Sequence, residues 1–203
     1  MKRLVLMLIA IFGAWLVRAQ GPLDTFAGQI ASGEVMFKYT FEVQGDVPIK
    51  GNGTASLCGP AFHVLGNGLE IWSDGKTRWT VDRSSKEAYI ETVEAESVDY
   101  VANPATLLSA LTQAFTVNNV SDVTLSGKKL QAVKMSPAIE ETGLQSVVLY
   151  MDGSVPSRVA ITVEDGTKTL FHLSDYSVKE KSDAVYTFDI ASLGSDYVVT
   201  DLR

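Results

Sequence analysis

Apolar side chains fall at every second position between residues 34 and 43. Val35, Phe37, Tyr39, Phe41 and Val43 follow this spacing, and most of the residues between them are polar. Because successive side chains of a strand point to opposite faces of its sheet, the pattern predicts a strand with one buried face.

A second strand is predicted at residues 49–57, after a turn at residues 44–46. Gly51 and Gly53 lie inside it. Glycine within a strand indicates a bend or the close approach of another part of the chain.

Short apolar runs continue in this style to the end of the chain. They cover residues 62–65, 69–73, 78–82, 88–93, 122–125, 129–135, 144–151, 158–164, 169–177 and 185–189. Several are separated by Asn-Gly or Asp-Gly, the strongest short signals of a hairpin. The prediction is a meander of about a dozen strands.

Two segments break this pattern with the spacing of a helix. Residues 23–31 place four apolar side chains on one face: Leu23, Phe26, Ala27 and Ile30. Residues 103–114 are rich in Leu and Ala, with Asn103 placed as an N-cap and Pro104 at the first helical position. The sequence therefore predicts two helices on a mainly β domain.

The N-terminus has the layout of a secretory signal peptide. Lys2 and Arg3 form a short basic start, and residues 4–17 are almost entirely apolar. An apolar run of about 14 residues is too short for the ~20 that cross a bilayer as a helix. Residues 1–19 are therefore predicted to be a signal peptide rather than a membrane anchor.

Cleavage is predicted after Ala19, which leaves residues 20–203 as a single mature domain. A lipoprotein signal would place a cysteine directly after the apolar run, where this chain has Gln20. The mature chain is therefore not expected to carry a lipid on its N-terminus.

Charge and cysteine content narrow the choice of partners. Removing Lys2, Arg3 and Arg18 leaves 14 basic residues against 24 acidic ones, a formal charge of −10. Nucleic acid is therefore not expected as a partner. Cys58 is the only cysteine, so no internal disulfide is possible and the core must hold the fold.

No arrangement of residues indicates catalysis, a metal or a cofactor. His63 and His172 lack the spacing of a metal site, and Cys58 is better explained as a small buried side chain. The acidic residues between Glu91 and Asp99 lack the alternating oxygen ligands of a calcium loop. We therefore expect a protein that is not an enzyme and that uses no cofactor and no metal.

The predicted sheet carries more large apolar side chains than two short helices can cover. A narrow sheet would fill its own interior with them, whereas a wider or incomplete barrel would leave a cavity, and the residues alone leave both interpretations open. These side chains are Phe37, Tyr39, Phe41, Phe62, Leu69, Ile71, Trp79, Leu149 and Phe171.

The order of several short motifs resembles one family. Residues 73–79 (SDGKTRW), with the strand that follows at residues 88–90, are similar to a hairpin of outer-membrane lipoprotein carriers of the LolA type. Residues 103–108 are similar to the helix that follows in those carriers, and residues 186–189 and 198–203 to their C-terminal strands.

The resemblance implies an unclosed antiparallel β-barrel of about a dozen strands, with a helical lid over a concave apolar face. It also implies a periplasmic carrier, expected to be a monomer, that binds the acyl chains of lipoproteins or related lipids and moves them toward the outer membrane. An inner-membrane release complex and an outer-membrane acceptor would then be further partners. The expected cavity lining is Phe37, Tyr39, Phe41, Phe62, Ile71, Trp79, Leu107, Leu108 and Leu111.

Gly59 departs from the family pattern. The best-known carriers have an arginine before the proline that corresponds to Pro60, and it is thought to help hold the lid closed; here the position is glycine. The latch is therefore absent or supplied elsewhere. Two other functions stay open: an envelope interaction or sensor module with a filled core, and, ranked last, a hydrolase that uses acidic residues.

Overall fold

Twelve strands form one sheet, with two helices packed against one of its faces. The computed structural model describes residues 21–45, 48–93, 103–138, 143–181 and 186–203. The predicted signal peptide and its cleavage site lie outside these residues. Among the described residues, no helix is both long and apolar enough to cross a membrane.

The described residues form two α-helices, α1 (Pro22–Ser32) and α2 (Pro104–Ala114), and a short 3-10 helix at Ile190–Ser192. The strands are β1 (Gly33–Gln44), β2 (Ile49–Cys58), β3 (Ala61–Gly66), β4 (Leu69–Ser73), β5 (Thr77–Asp82), β6 (Glu87–Thr92), β7 (Phe115–Leu125), β8 (Lys128–Pro137), β9 (Leu144–Asp152), β10 (Val155–Val163), β11 (Lys168–Glu180) and β12 (Val198–Asp201).

The strand order across the sheet is β12-β6-β5-β4-β3-β2-β1-β11-β10-β9-β8-β7. The two edge strands, β12 and β7, do not pair with each other, so the sheet stays open. This confirms the predicted fold class, a mainly β domain built as an unclosed barrel with two helices. The predicted simple meander is wrong in two places, because β1 pairs with the distant β11 and β12 runs parallel to β6.

Both helices form where the sequence predicted them. The side chain of Asn103 accepts hydrogen bonds from the backbone N–H groups of Ala105 (2.9 Å) and Thr106 (3.4 Å), which is the predicted N-cap of α2. In α1, Phe26 and Ile30 are buried. Each helix therefore turns an apolar side toward the sheet.

The strand register defines two faces of the sheet. The inner face is the one that α1 and α2 contact. One of its rows crosses β1 to β4 through Phe37, Ala55, Val64 and Ile71. The outer face is the opposite one, and one of its rows crosses the same strands through Lys38, Thr54, Leu65 and Glu70.

The polarity of the two faces reverses between β4 and β5. The inner-face row continues from Ile71 to Thr80 and Tyr89, which are polar. On the outer face, Val81 and Ala88 are completely buried. The apolar inner face therefore ends at β4, and a second, smaller core lies on the outer face of β5 and β6.

The chain from residue 186 onward, the C-terminal segment, lies on the outer face. The Tyr186 hydroxyl donates to Glu34 Oε1 at 2.8 Å, and the Phe188 ring centroid lies 6.5 Å from that of Trp72. The segment then ends as β12 beside β6. On this side of the sheet the second core is flanked by the C-terminal segment, which includes a short 3-10 helix at Ile190–Ser192, and not by α1 or α2.

The strand predicted at residues 185–189 is wrong for its described part, because residues 186–189 pair with no other strand. The alternation of apolar and polar residues at these positions instead directs two aromatic side chains toward the sheet. Tyr186 and Phe188 contact the outer face, and the chain between them crosses the sheet instead of joining it.

Glycines let two aromatic rings of β1 lie across β2 and β3. A Cβ on Gly53 would meet the Tyr39 hydroxyl oxygen and the Leu65 carbonyl oxygen, each at 2.6 Å. A Cβ on Gly51 would clash with the Phe41 ring and with the Asn67 side chain. The close approach predicted for these two glycines is therefore present.

Candidate functional site

The structure brings together all but one of the residues predicted to line an apolar cavity. Six belong to one buried cluster on the inner face and α2, namely Phe37, Tyr39, Phe62, Leu107, Leu108 and Leu111. Tyr39, the most exposed of these six, retains only 5% of its surface. Phe41 and Ile71 are partly buried and pack against that cluster.

Trp79 is the exception, and its predicted place in the lining is wrong. Its register partner on β4 is Trp72, which in turn pairs with His63 on β3. This row lies on the outer face, opposite the helices. Alternation correctly predicted a strand here, but the reversal of polarity after β4 places the apolar side chains of β5 on the other side of the sheet.

The aromatic floor of the inner face is closely packed. The rings of Tyr39 and Phe171 meet edge to face with centroids 6.0 Å apart, and the Phe41 centroid lies 5.7 Å from that of Phe171. Burial raises the pKa of the Tyr39 hydroxyl above its ordinary value. The floor is therefore uncharged and apolar over the whole physiological pH range.

Polar contacts fix α1 to the sheet. The Gly59 N–H donates to the Ile30 carbonyl oxygen at 2.8 Å, and the Tyr176 hydroxyl donates to Gln29 Oε1 at 2.7 Å. Burial raises the pKa of Tyr176 to about 12. Tyr176 therefore remains a donor at any physiological pH.

Gly59 itself makes the backbone contact that joins the β2–β3 turn to α1. Its φ of +60° is in the left-handed region that favours glycine. A Cβ at this position would meet no atom within 4 Å. Where the resembled carriers have an arginine, this chain thus has a backbone hydrogen bond to α1 and open space above it.

The contacts of α2 are mainly apolar. Leu107, Leu108 and Leu111 face β2, β3 and α1. At its C-terminal end, the Ala138 N–H donates to the Ala114 carbonyl oxygen at 2.8 Å, and β7 begins at the next residue. The C-terminal end of α2 is thus held by its direct connection to β7 and by one backbone hydrogen bond. The rest of the helix packs on the sheet and on α1 mainly through apolar contacts.

A cleft of about 280 Å³ opens between the two helices and the β2–β3 turn. Of the nine residues predicted to line an apolar cavity, Leu108 and Leu111 line this cleft. The lining also includes residues that the sequence analysis did not assign to a site: Ala27, Ile30, Ala31, Gly59, Pro60, Ser109 and Lys181. The apolar face of α1 was visible in the sequence, whereas Lys181 carries no local signal because only the fold brings it to the helices.

The histidines lie away from this cleft. His63 stacks on Trp72 with ring centroids 3.7 Å apart, and its Nε2 lies 3.4 Å from Glu70 Oε1 on the outer face. Burial lowers the pKa of His63 more than Glu70 raises it. Within the described ranges, no cluster of three or more His, Cys, Asp or Glu side chains is arranged to hold a metal ion.

Comparisons with known proteins give a fold. No protein-family model matches the sequence, and a search of curated proteins finds no match. Among solved structures, the chain is similar to an uncharacterised conserved protein from Thermus thermophilus, with 10% sequence identity, a TM-score of 0.54, and coverage of 89% of this chain and 96% of that one.

Two further likenesses are weaker. A LolA superfamily protein from Nitrosomonas europaea has 10% identity and a TM-score of 0.46 over 82% of this chain and 96% of that one. A chain of the MucA/MucB complex of Pseudomonas aeruginosa has 12% identity and a TM-score of 0.43 over 79% of this chain and 57% of that one.

The first likeness shows a shared fold, and at this identity it shows the fold alone. A LolA superfamily chain is among the solved structures to which this chain is similar. The class that the fold and site define is therefore an open, helix-covered β sheet with an apolar inner face.

Proposed function

We propose that this protein is an exported periplasmic carrier that binds the acyl chains of lipoproteins or related lipids between the inner face and the two helices. The observation that carries the proposal is the cleft between α1 and α2, whose walls Leu108 and Leu111 belong to the same buried apolar cluster as the inner face. The proposal includes the acylated ligand as partner, with an inner-membrane release complex and an outer-membrane acceptor.

Binding would follow from apolar area and shape. Each methylene that leaves water contributes about 0.8 kcal/mol. In the structure, the space under the helices is filled by side chains of α2 such as Leu107 and Leu108. A bound chain must therefore displace part of this packing, so that burial of the helix competes with burial of the ligand and binding is reversible.

The first test is native mass spectrometry with lipid extraction on the mature chain, purified from a bacterial envelope without detergent. An acylated species that remains bound supports the carrier and identifies its ligand class. A clean unbound mass, together with no displacement of a fluorescent acyl probe by acylated peptide, contradicts it.

The fluorescent reporter of binding must be attached to the ligand, and the tryptophans of the protein cannot replace it. Trp72 and Trp79 both lie on the outer face, so their fluorescence reports poorly on the inner face. A probe with the fluorophore in its acyl chain reports on the space between the helices directly. A variant with Leu111→Asn, which puts an amide in the cleft wall, is expected to weaken probe binding. Ile90→Asn is the control, because Ile90 is also buried but lies on the outer face, away from the cleft.

A second candidate is an envelope interaction or sensor module with a filled core. It is favoured by the tight packing of Tyr39 over Gly53 and of Phe41 over Gly51. The two proposals differ in two outcomes. The module predicts no acyl binding in either form of the test above, and it predicts that a protein partner is captured by the folded chain without lipid.

A further inference from the structure

Lys181 lies at the cleft between α1 and α2, directly after β11. Among the residues that the structure describes, it is the only charged side chain in the cleft lining, whose other members are apolar or uncharged. Among the described residues, no carboxylate forms an ion pair with it. In a mature chain with 24 acidic and 14 basic residues, a cation at an apolar cleft that pairs with none of the described carboxylates needs an explanation.

A purely structural role would be to neutralise the C-terminal end of α1. The last turn of α1 has no basic residue, and Glu180, the neighbour of Lys181, pairs with Gly33 at the end of that helix. A cation near a helix C-terminus is stabilising by about 0.3–1 kcal/mol. This role alone would make Lys181 a contributor to stability and nothing more.

Three carbonyl groups near that end of α1 already have partners, however. The Gly28 oxygen accepts from the Ser32 hydroxyl at 2.7 Å, the Gln29 oxygen accepts from the backbone N–H of Gly33, and the Ile30 oxygen accepts from Gly59. The ammonium group is therefore not needed to satisfy these acceptors. Its donors remain available to a ligand at the exposed end of the cleft.

We propose that the site selects acyl ligands with an anionic headgroup, a carboxylate or a phosphate, and that Lys181 contacts this headgroup. The inference rests on the proposed function, since the acyl chain is the part that the apolar walls hold. Ile30, Leu108 and Leu111 line the apolar part of the cleft, and Lys181 supplies the only charge among its described lining residues. An anion is the chemistry that this combination of apolar walls and one cation fits.

The test compares ligands that share one lauryl chain and differ in headgroup: lauryl phosphate and laurate as anions, lauryl maltoside as a neutral ligand, and lauryltrimethylammonium as a cation. Each is titrated below its micelle concentration against the mature chain loaded with a neutral fluorescent acyl probe. We expect the anions to bind about three- to fivefold more tightly than lauryl maltoside at low salt, the range of a solvent-exposed ion pair. The cation should bind most weakly, and high salt should reduce the differences.

Matched variants separate the role of Lys181 from that of charge in general. Lys181→Gln should abolish the preference for anions, and Lys181→Arg should retain it. Lys179→Gln is the control, because it removes the same charge two residues away. Lys179 lies opposite Glu34 in the strand register of β1 and β11, on the outer face. Urea unfolding of each variant checks that the fold persists.

The possible failures are distinguishable. If no lauryl ligand displaces the probe, the proposed function itself is overturned. Equal binding of anionic and neutral ligands overturns only the headgroup inference, as does a preference that survives Lys181→Gln or disappears in Lys179→Gln. Inorganic phosphate added alone should not displace the probe, and displacement by it would overturn the assignment to a lipid headgroup.

Discussion

Replacing Gly53 with alanine is predicted to destabilise the protein, although alanine normally favours folding over glycine. Gly53 lies on β2 beneath the Tyr39 ring. A Cβ there would meet the Tyr39 hydroxyl oxygen at 2.6 Å and its ring carbon Cζ at 2.7 Å. It would also meet the Leu65 carbonyl oxygen at 2.6 Å, an atom of the neighbouring strand that cannot rotate away.

The size of the effect follows from two opposing contributions. Loss of glycine's conformational freedom in the unfolded chain favours the variant by roughly 0.5–1 kcal/mol. Forcing an extra carbon into a packed core costs about 1–3 kcal/mol. Because one contact is with a backbone atom, the upper part of that range applies, and we expect a net loss of about 1–2 kcal/mol. For a domain of this size, that lowers Tm by roughly 2–8 °C.

Urea and thermal unfolding followed by circular dichroism measure this change. Gly28→Ala is the matched control, because a Cβ at Gly28 in α1 would meet no atom within 4 Å. That variant is expected to gain roughly 0.5–1 kcal/mol from helix propensity. If Gly53→Ala is as stable as the parent chain or more so, the packing of Tyr39 against the β2–β3 ladder is not as described.

Three further outcomes are expected. Asn103→Ala removes the N-cap of α2 and should lower the free energy of unfolding by about 1 kcal/mol, with Asn103→Asp as the retained cap; equal stability of the two would contradict the capping role. The pKa of His63 lies below its ordinary value of 6.5 because of burial, despite the neighbouring Glu70. The unfolded chain therefore binds the proton more tightly than the folded chain does. The free energy of unfolding is retained above pH 6.5 and falls as the pH drops through the lower pKa of the folded state. His63→Gln should weaken this pH dependence, which urea unfolding at a series of pH values measures. Tyr186→Phe removes the 2.8 Å bond to Glu34 and should cost about 1 kcal/mol in urea unfolding, whereas an unchanged midpoint would show that the bond contributes nothing.

The parts of the fold with local signals could be predicted from the sequence. Asn103 and Pro104 mark the start of α2 within one turn, and the alternation of Val35, Phe37 and Tyr39 marks β1. The pairing of β1 with β11 carries no such signal, because it depends on residues more than a hundred positions apart in the chain. Topology at that range is decided by how the whole sheet packs.

The candidate site was predictable to the same extent. Alternation shows which residues of a strand share a face, but it does not show which face of the sheet they occupy. Alternation is sufficient to assign Phe62 and Ile71 to the inner face, because the apolar side of their strands lies on the same face as that of β1. It fails for Trp79, because the apolar side of β5 lies on the outer face. Lys181 could not be predicted for a different reason. Nothing in the local sequence distinguishes it from any other exposed lysine after a strand, and only the fold places it at the cleft.

A closed inner face and a carrier are energetically compatible. Moving α2 away from the sheet would expose Leu107, Leu108 and Leu111, which are buried in the structure, and burial of such a side chain is worth about 1.5–3 kcal/mol. The total, roughly 5–9 kcal/mol, is close to what about ten methylenes gain on leaving water at ~0.8 kcal/mol each. One acyl chain of ordinary length can thus replace the leucines of α2 at almost no net cost. The filled inner face is therefore the state that a reversible carrier needs when empty, because a permanently open cavity would hold its ligand too tightly to deliver it.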